Sequence, residues 1–346
     1  MKTAVVALTA KATQLAADLA PAIQADLHVQ EKHSELVAGA AAVFYRPPLG
    51  EHVRHLFAAY RGIVFVMASG IVVRYIAPLL RSKLDDPAVV VVDEAGRHAI
   101  SLLSGHLGGA NELAAKVAAA IGAEPVITTA TDLASLTAPD VLARRNRCTI
   151  GNPALIKTLN AALLAGETLS LFTPFPVAGP PPARYRLNPP HPGEFNLVLN
   201  SRRTEPLTGQ TLYLRPRHLV LGVGCRRGAG QGVIEAALTD LLDEHGLCRD
   251  SLHKVASIDL KADEPGLLAL AAGLGVPLLT YSAAELAAMP GTLADSSFVR
   301  EVTGTGNVCE AAALAAAAPG GELLVPKTAG RGVTLAVTGE DYRVVF

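Results

Sequence analysis

Short, continuously apolar runs alternate with helix-periodic stretches along most of this chain, and that alternation restricts it to the α/β folds. Residues 3–8 (TAVVAL), 63–68 (IVFVMA) and 88–92 (AVVVV) are apolar on both faces. A strand of that kind must be covered on both faces, as a parallel strand is between two helical layers. Helical spacing occupies residues 14–25, 51–61, 71–81 and 111–121, and a further strand is expected at 125–128. Residues 1–132 therefore read as an α/β/α layered domain with a mainly parallel sheet.

The alternation weakens after Thr131. A helical stretch at 153–164 runs into residues 173–193, where Pro174, Pro176, Pro180, Pro181, Pro182, Pro189, Pro190 and Pro192 crowd together. Proline at that density predicts an extended connector and no core element. Strand patterns return at 195–199 and 211–214, so residues 133–215 form a small middle region. A second α/β domain, residues 216–346, begins with the strand at 218–223 and the helix at 231–245. Its further strands are expected at 254–258, 277–280, 322–325 and 333–337.

Composition excludes several functions. With 30 Lys+Arg against 31 Asp+Glu the chain has a formal net charge of -1 and lacks the basic excess that binding to nucleic acid or an anionic membrane surface calls for. Aromatics make up only 4% and are not interleaved with basic residues, so no stacking platform for single strands is present. Residues 265–284 carry no formal charge, yet Gly266, Gly273, Gly275 and Pro277 make them helix, turn and strand, not a membrane span. Lys11 breaks the N-terminal apolar run before the apolar region of a signal peptide is complete. Cys148, Cys225, Cys248 and Cys309 are widely spaced with no C-x-x-C pair, which predicts neither a metal knuckle nor a disulfide framework, and a cytoplasmic location.

Four loops carry chemistry. Leu103 to Glu112 (LSGHLGGANE) leads a glycine loop into a helix, an arrangement that aims backbone N–H groups at one point and suits a carboxylate or phosphate. The plainer reading is turn chemistry, with Asn111 as the helix N-cap. His106 is the titrating group there, or else a structural hydrogen-bonder. Gly222 to Gly232 is a second such loop. It misses the dinucleotide fingerprint by one position and has no acidic strand end after it, while Arg226 and Arg227 favour an anion. Residues 258–264 place Asp259, Lys261 and Glu264 at a strand end, either for ligand contact or as a solvated turn. The turn with Gly304, Gly306 and Asn307 forms a possible anion nest, and Lys327 and Arg331 lie in a loop between strands. No G-x-S-x-G, H-E-x-x-H or Walker loop occurs, which argues against a covalent serine mechanism.

The motifs at 70–74, 77–80, Ser82-Lys83, Asp86-Pro87, Asp93-Glu94, 103–111 and 128–132 closely resemble the cobalt-precorrin-5A hydrolase (CbiG) family. So do 222–226, 259–261, Glu264, 303–310 and 332–334, which are also similar to the stand-alone CobE protein of the aerobic corrin pathway. The resemblance implies a CobE-like mixed sheet in the last domain. It also implies a step of anaerobic cobalamin biosynthesis: opening of the δ-lactone of cobalt-precorrin-5A with release of acetaldehyde.

On that footing the expected substrate is a polycarboxylate tetrapyrrole that carries its own cobalt, with no protein cofactor and no protein metal site. His106 is the first choice of general base, with Glu264 or Glu94 second. Gly108, Gly109 or Gly304 would supply oxyanion N–H groups. Arg74, Lys83, Arg226, Lys261, Lys327 and Arg331 would hold substrate carboxylates, with Ser104, Asn111 and Asn307 lining the loops. A non-catalytic corrinoid carrier and an S-adenosylmethionine-dependent methyltransferase of the same pathway remain the competing readings. A homodimer and contacts with other enzymes of the pathway stay open.

Overall fold

The computed structural model describes residues 1–346 except 83–84, 135, 290–306 and 318, with 132–133 as backbone only. The chain divides into two compact units, Met1–Val141 and Leu142–Phe346.

The first unit is built on a seven-stranded sheet of order β3-β2-β1-β4-β5-β6-β7. Its elements are β1 (Thr3–Ala7), α1 (Ala10–Ile23), β2 (Asp26–Gln30), β3 (Ala42–Tyr45), α2 (Leu49–Ala59), β4 (Gly62–Val66) and α3 (Ser69–Ile76). They continue with β5 (Ala88–Val92), β6 (His98–Leu103), α4 (Ala110–Ile121), β7 (Glu124–Val126) and the short α5 (Ala130–Leu133), and α6 (Pro139–Arg145) runs across the boundary. Alternate residues of each central strand feed two cores. Val5, Val64, Val66, Val90 and Val92 pack with α1 and α4, whereas Ala4, Val6, Ile63, Phe65, Val89 and Val91 pack with α2 and α3.

Two features differ from the sequence reading. The polar residues of β2 hide a central strand: His28 and Gln30 are buried, and β2 pairs with β1 on one side and β3 on the other. The second is β6, which runs antiparallel to β5 with Val89 opposite Leu103 and Val92 opposite Ala99. Its cause is the turn between them, closed by Gly96 N–H donating to the Asp93 carbonyl, with Gly96 at φ 65. So short a link reverses the chain and cannot make a parallel crossover.

The second unit holds two five-stranded sheets. One has the order β11-β9-β12-β13-β8, from β8 (Cys148–Ile150), β9 (Leu169–Phe172), β11 (Tyr185–Leu187), β12 (Phe195–Leu199) and β13 (Gln210–Pro216). Helix α7 (Ile156–Leu164) lies between β8 and β9 in the chain. The proline-rich stretch is more than a connector. It supplies β10 (Val177–Ala178), paired with β19 (Val344–Val345), and β11, the parallel edge partner of β9 with Tyr185 buried. Prolines bracket β11 without entering it, and an edge position is where the ladder tolerates such neighbours.

The other sheet has the order β16-β15-β14-β18-β17, from β14 (Leu219–Cys225), β15 (Leu252–Ile258), β16 (Leu278–Tyr281), β17 (Glu322–Gly330) and β18 (Val333–Gly339). Strands β16, β15 and β14 pair in parallel, and β18 runs antiparallel to both β14 and β17, so this sheet is mixed. Helices α8 (Gln231–Glu244) and α9 (Pro265–Leu274) pack on one face. The other face receives α10 (Ala283–Ala287) and α11 (Cys309–Ala316).

Candidate functional site

Because β6 is reversed, its carboxyl end lies beside the entrance of β5, and the Ser104–Gly109 loop leaves the sheet there. The loop is packed on itself. A Cβ at Gly108 would stand 2.3 Å from the Ser104 Cβ, and one at Gly105 would stand 2.7 Å from Asn111 Oδ1, so both positions admit only glycine. The N–H groups of Gly109, Ala110 and Asn111 are used inside the loop, donating to the carbonyls of His106, Ser104 and Gly105. Gly109, at φ 86, is the N-cap of α4, and Asn111 lies inside the first turn. Its buried amide is a brace. Ser101 Oγ donates to Asn111 Oδ1 at 2.7 Å, and Asn111 Nδ2 donates to Thr129 Oγ1 at 3.1 Å. Ser104 takes the left-handed conformation at φ 58, and its buried hydroxyl makes no hydrogen bond among the described residues.

This loop carries His106 into a nearly enclosed setting with 12% of its side chain exposed. Nδ1 lies 3.3 Å from Asp140 Oδ2 and Nε2 lies 3.0 Å from Thr131 Oγ1. Thr131 is buried, as is Asp140. A carboxylate only accepts, so a proton on Nδ1 would face Asp140, and in the neutral ring that tautomer would turn the lone pair of Nε2 toward the threonine hydroxyl.

The other acidic candidate of this unit is elsewhere. Glu94 follows the exit of β5, at the opposite edge of the sheet and roughly 15 Å of strand from the His106 loop. Its Oε1 accepts the hydroxyl of Thr9, the N-cap of α1, at 2.8 Å. Arg74 is exposed on α3, which starts at that same edge. Lys83 and Gly304 lie outside the described residues. At the entrance of β4 and β5, an open cleft of about 820 Å³ is lined by Arg54, Phe57, Tyr60, Arg61, Arg81 and Asp86. That volume lies in the range of small-molecule sites.

In the second unit the remaining candidates gather at one edge of the mixed sheet, where β14 and β15 end and the β17–β18 turn returns. Glu264, the N-cap of α9, is only 3% exposed. Its Oε1 accepts from Gly228 N at 2.8 Å and its Oε2 from Lys261 Nζ at 3.0 Å. Burial works against the charge. The Lys261 bond and the Gly228 amide outweigh it and hold this carboxyl below its ordinary value. Glu264 is thus a tethered, weak base that fastens the loop carrying Arg226 and Arg227. Arg226 N donates to the Gly332 carbonyl at 3.2 Å, which ties that loop to the turn holding Arg331. Arg331 pairs with Asp240 at 3.3 Å, on the surface. Arg226 is exposed and Lys327 half-buried, and neither forms an ion pair among the described residues. Asn307 and Glu310 are buried together. Asn307 Nδ2 donates to Glu310 Oε2 at 2.6 Å, and the Lys327 N–H donates to Glu310 Oε1 at 2.6 Å.

Nothing in the sequence marks Asp140, which stands 34 positions from His106 in a stretch without periodic pattern. Thr131 lies in the 128–132 motif, but nothing there marks its hydroxyl. The arginines of the cleft are scattered over three separate segments and carry no local signature. All four cysteines are free thiols, and among the described residues no group of three or more His, Cys, Asp and Glu is placed to hold a metal. Nor is any described helix long and apolar enough to cross a membrane.

Family models described as Cobalamin synthesis G N-terminal, Cobalamin biosynthesis central region and Cobalamin synthesis G C-terminus match residues 51–132, 137–216 and 219–338. A cobalt-precorrin-5A hydrolase from Salmonella typhimurium is 36% identical over 274 residues, covering 75% of this chain and 77% of its own length. One from Priestia megaterium is 31% identical over 363 aligned residues, covering 96% and 94%. Protein CobE of a Sinorhizobium species is 38% identical over 122 residues, or 35% of this chain and 79% of its own length.

Proposed function

This chain belongs to the cobalamin synthesis G family, and from that premise we propose that it is a cobalt-precorrin-5A hydrolase. In this reading it adds water across the δ-lactone and releases a two-carbon unit as acetaldehyde, giving cobalt-precorrin-5B. The observation that carries the catalytic part is His106, held between Asp140 and Thr131 beside a glycine loop. A base placed in this way contributes about 100- to 10,000-fold.

The lactone carbonyl accumulates negative charge as the nucleophile adds. Gly108 N–H and the Ser104 hydroxyl are the loop donors assigned to that oxygen, since the Gly109 N–H is already bound to the His106 carbonyl. Once the ester opens, the freed hydroxyl collapses to a carbonyl and the adjoining carbon–carbon bond breaks in a retro-aldol sense, expelling acetaldehyde. The macrocycle is fringed with acetates and propionates. In the first unit, which carries His106, Arg54, Arg61 and Arg81 supply cations of the kind such a ligand requires. The cobalt arrives and leaves with the substrate.

The test is anaerobic incubation with cobalt-precorrin-5A, with acetaldehyde and macrocycle mass followed together. Acetaldehyde formed in step with ring opening is the expected result. Saturable binding with the macrocycle returned unchanged would replace the hydrolase by a corrinoid carrier.

A further inference from the structure

We propose that Thr131 is the nucleophile that opens the lactone, activated by His106 and Asp140 as a threonine counterpart of the acid–base–nucleophile triad. The proposal rests on the hydrolase reading and names the atom that attacks first. His106 Nε2 lies 3.0 Å from Thr131 Oγ1, and Nδ1 lies 3.3 Å from Asp140 Oδ2. With the ring neutral and its proton on the Asp140 side, the threonine hydroxyl is within reach of the Nε2 lone pair. Nucleophile to base to carboxylate, within hydrogen-bonding reach at each step, is the pattern by which a hydroxyl of high intrinsic pKa becomes reactive. It is recognised by geometry and not by order in the sequence, which is why no serine signature announces it here.

Thr131 is also rigidly placed. Its carbonyl accepts from Leu136 N at 2.9 Å, and the preceding Thr129 receives the Asn111 amide that braces the His106 loop. The hydroxyl and the imidazole are thus fixed by one network. A single buried Thr–His contact is often only structural. The Asp140 contact on the far side of the ring separates this case, because it supplies the orientation and charge compensation a base needs.

The chemistry balances without a co-reactant. Thr131 Oγ bonds to the lactone carbonyl carbon as its proton passes to His106 Nε2. The bond from that carbon to the ring oxygen then breaks, and the departing oxygen takes the proton from His106. Water next adds to the threonyl ester, giving one proton to His106, and Thr131 Oγ leaves and recovers it. The sum is one lactone and one water converted to one hydroxy acid.

Two measurements on the whole protein test this. Treatment with an alkyl fluorophosphonate should add one phosphonyl group, found on the peptide that contains Thr131, and His106→Ala should slow the addition at least ~100-fold. Acid quenching during turnover of cobalt-precorrin-5A should trap an ester on the same residue in the wild type and in Thr131→Ser. Thr131→Ala should lose at least ~1,000-fold in kcat and show neither adduct. Thr131→Ala turning over within tenfold of wild type overturns the proposal and leaves the hydrolase reading intact. So does wild-type turnover with no adduct by either route. Phosphonylation at Thr131 in a protein that releases no acetaldehyde sinks the hydrolase reading and leaves the activated threonine standing.

Discussion

A β-carbon on Gly222 would stand 1.8 Å from the carbonyl oxygen of Cys309, so strand β14 and the first turn of α11 are in direct backbone contact. The same β-carbon would meet the Cys309 carbonyl carbon at 2.8 Å and the Ala313 Cβ at 2.9 Å. Neither backbone has a flexible side chain to move aside. Gly222→Ala should therefore destabilise the protein by about 3 kcal/mol, at the upper end of overpacking costs, read as a lowered midpoint in urea. Gly230→Ala is the matched control: nothing lies near its Cβ and its φ is -68, so it should lose only the advantage of glycine over alanine at the N-cap of α8, about 1 kcal/mol or less. A Gly222→Ala protein as stable as that control would mean that α11 does not sit on this strand.

Glu264→Gln tests the tether at the other end of β14. The substitution keeps an acceptor for the Gly228 amide and removes the partner of Lys261, leaving a mostly buried ammonium without its counter-charge. Breaking one side of a buried pair costs on the order of 3 kcal/mol. Because the Glu264 carboxyl is held below its ordinary value, the wild-type contribution is present above the unfolded carboxyl range and lost as pH falls through the lower folded value. The variant should lack that acid limb. In turnover, its looser Arg226–Gly230 loop should raise KM several-fold with kcat within ~3-fold. A fall of ~100-fold or more in kcat at unchanged KM would instead make Glu264 the base.

How far the sequence carried the fold can be judged from particular strands. The all-valine β5 and its neighbours were legible because each buries both faces, and apolar runs are what such burial selects. Strand β2 was hidden because its interior is partly polar: His28 is buried and bonded to Tyr60, and such partners are not visible to a periodicity argument. The direction of β6 was legible only in retrospect, through the turn closed by Gly96 on Asp93. Likewise, the glycine loops announced themselves. Their glycines prove to serve close packing, with Gly105 against Asn111 and Gly108 against Ser104, more than an open anion nest. The site's decisive neighbours, Thr131 and Asp140, come from α5 and α6 and meet His106 only through the tertiary fold. No spacing rule reaches that far.

Asp140→Asn separates orientation from simple proximity at His106. An amide can offer its N–H where the carboxylate accepted, which favours the tautomer with the proton on Nε2 and points a donor at Thr131. Shape and volume hardly change. The expected result is a loss of about 1,000- to 10,000-fold in kcat with KM within ~3-fold. Retention of more than a tenth of wild-type kcat would mean that Asp140 does not set the imidazole.

The cluster around His28 predicts acid lability of a definite kind. His28 is 2% exposed, its Nε2 is 3.0 Å from the Tyr60 hydroxyl, and Tyr60 in turn donates to Asp26 at 2.7 Å. The His52 ring lies 5.0 Å away. Burial comes first and the neighbouring His52 next, with His55 and Lys2 adding to them against Asp26, and the result is a pKa lowered from 6.5 to about 4. The unfolded chain therefore binds a proton at this site between pH 6.5 and 4 that the folded chain refuses. Stability from this group is complete above 6.5, falls as pH drops through the window and levels off below it. The loss is on the order of 1–2 kcal/mol, because the protein relaxes around a charged imidazole. His28→Gln should remove this slope between pH 6.5 and 4 while lowering stability at pH 8. Urea midpoints for both proteins across pH 4 to 8 decide it, and parallel curves would show that His28 stays neutral in the unfolded chain as well or titrates equally in both states.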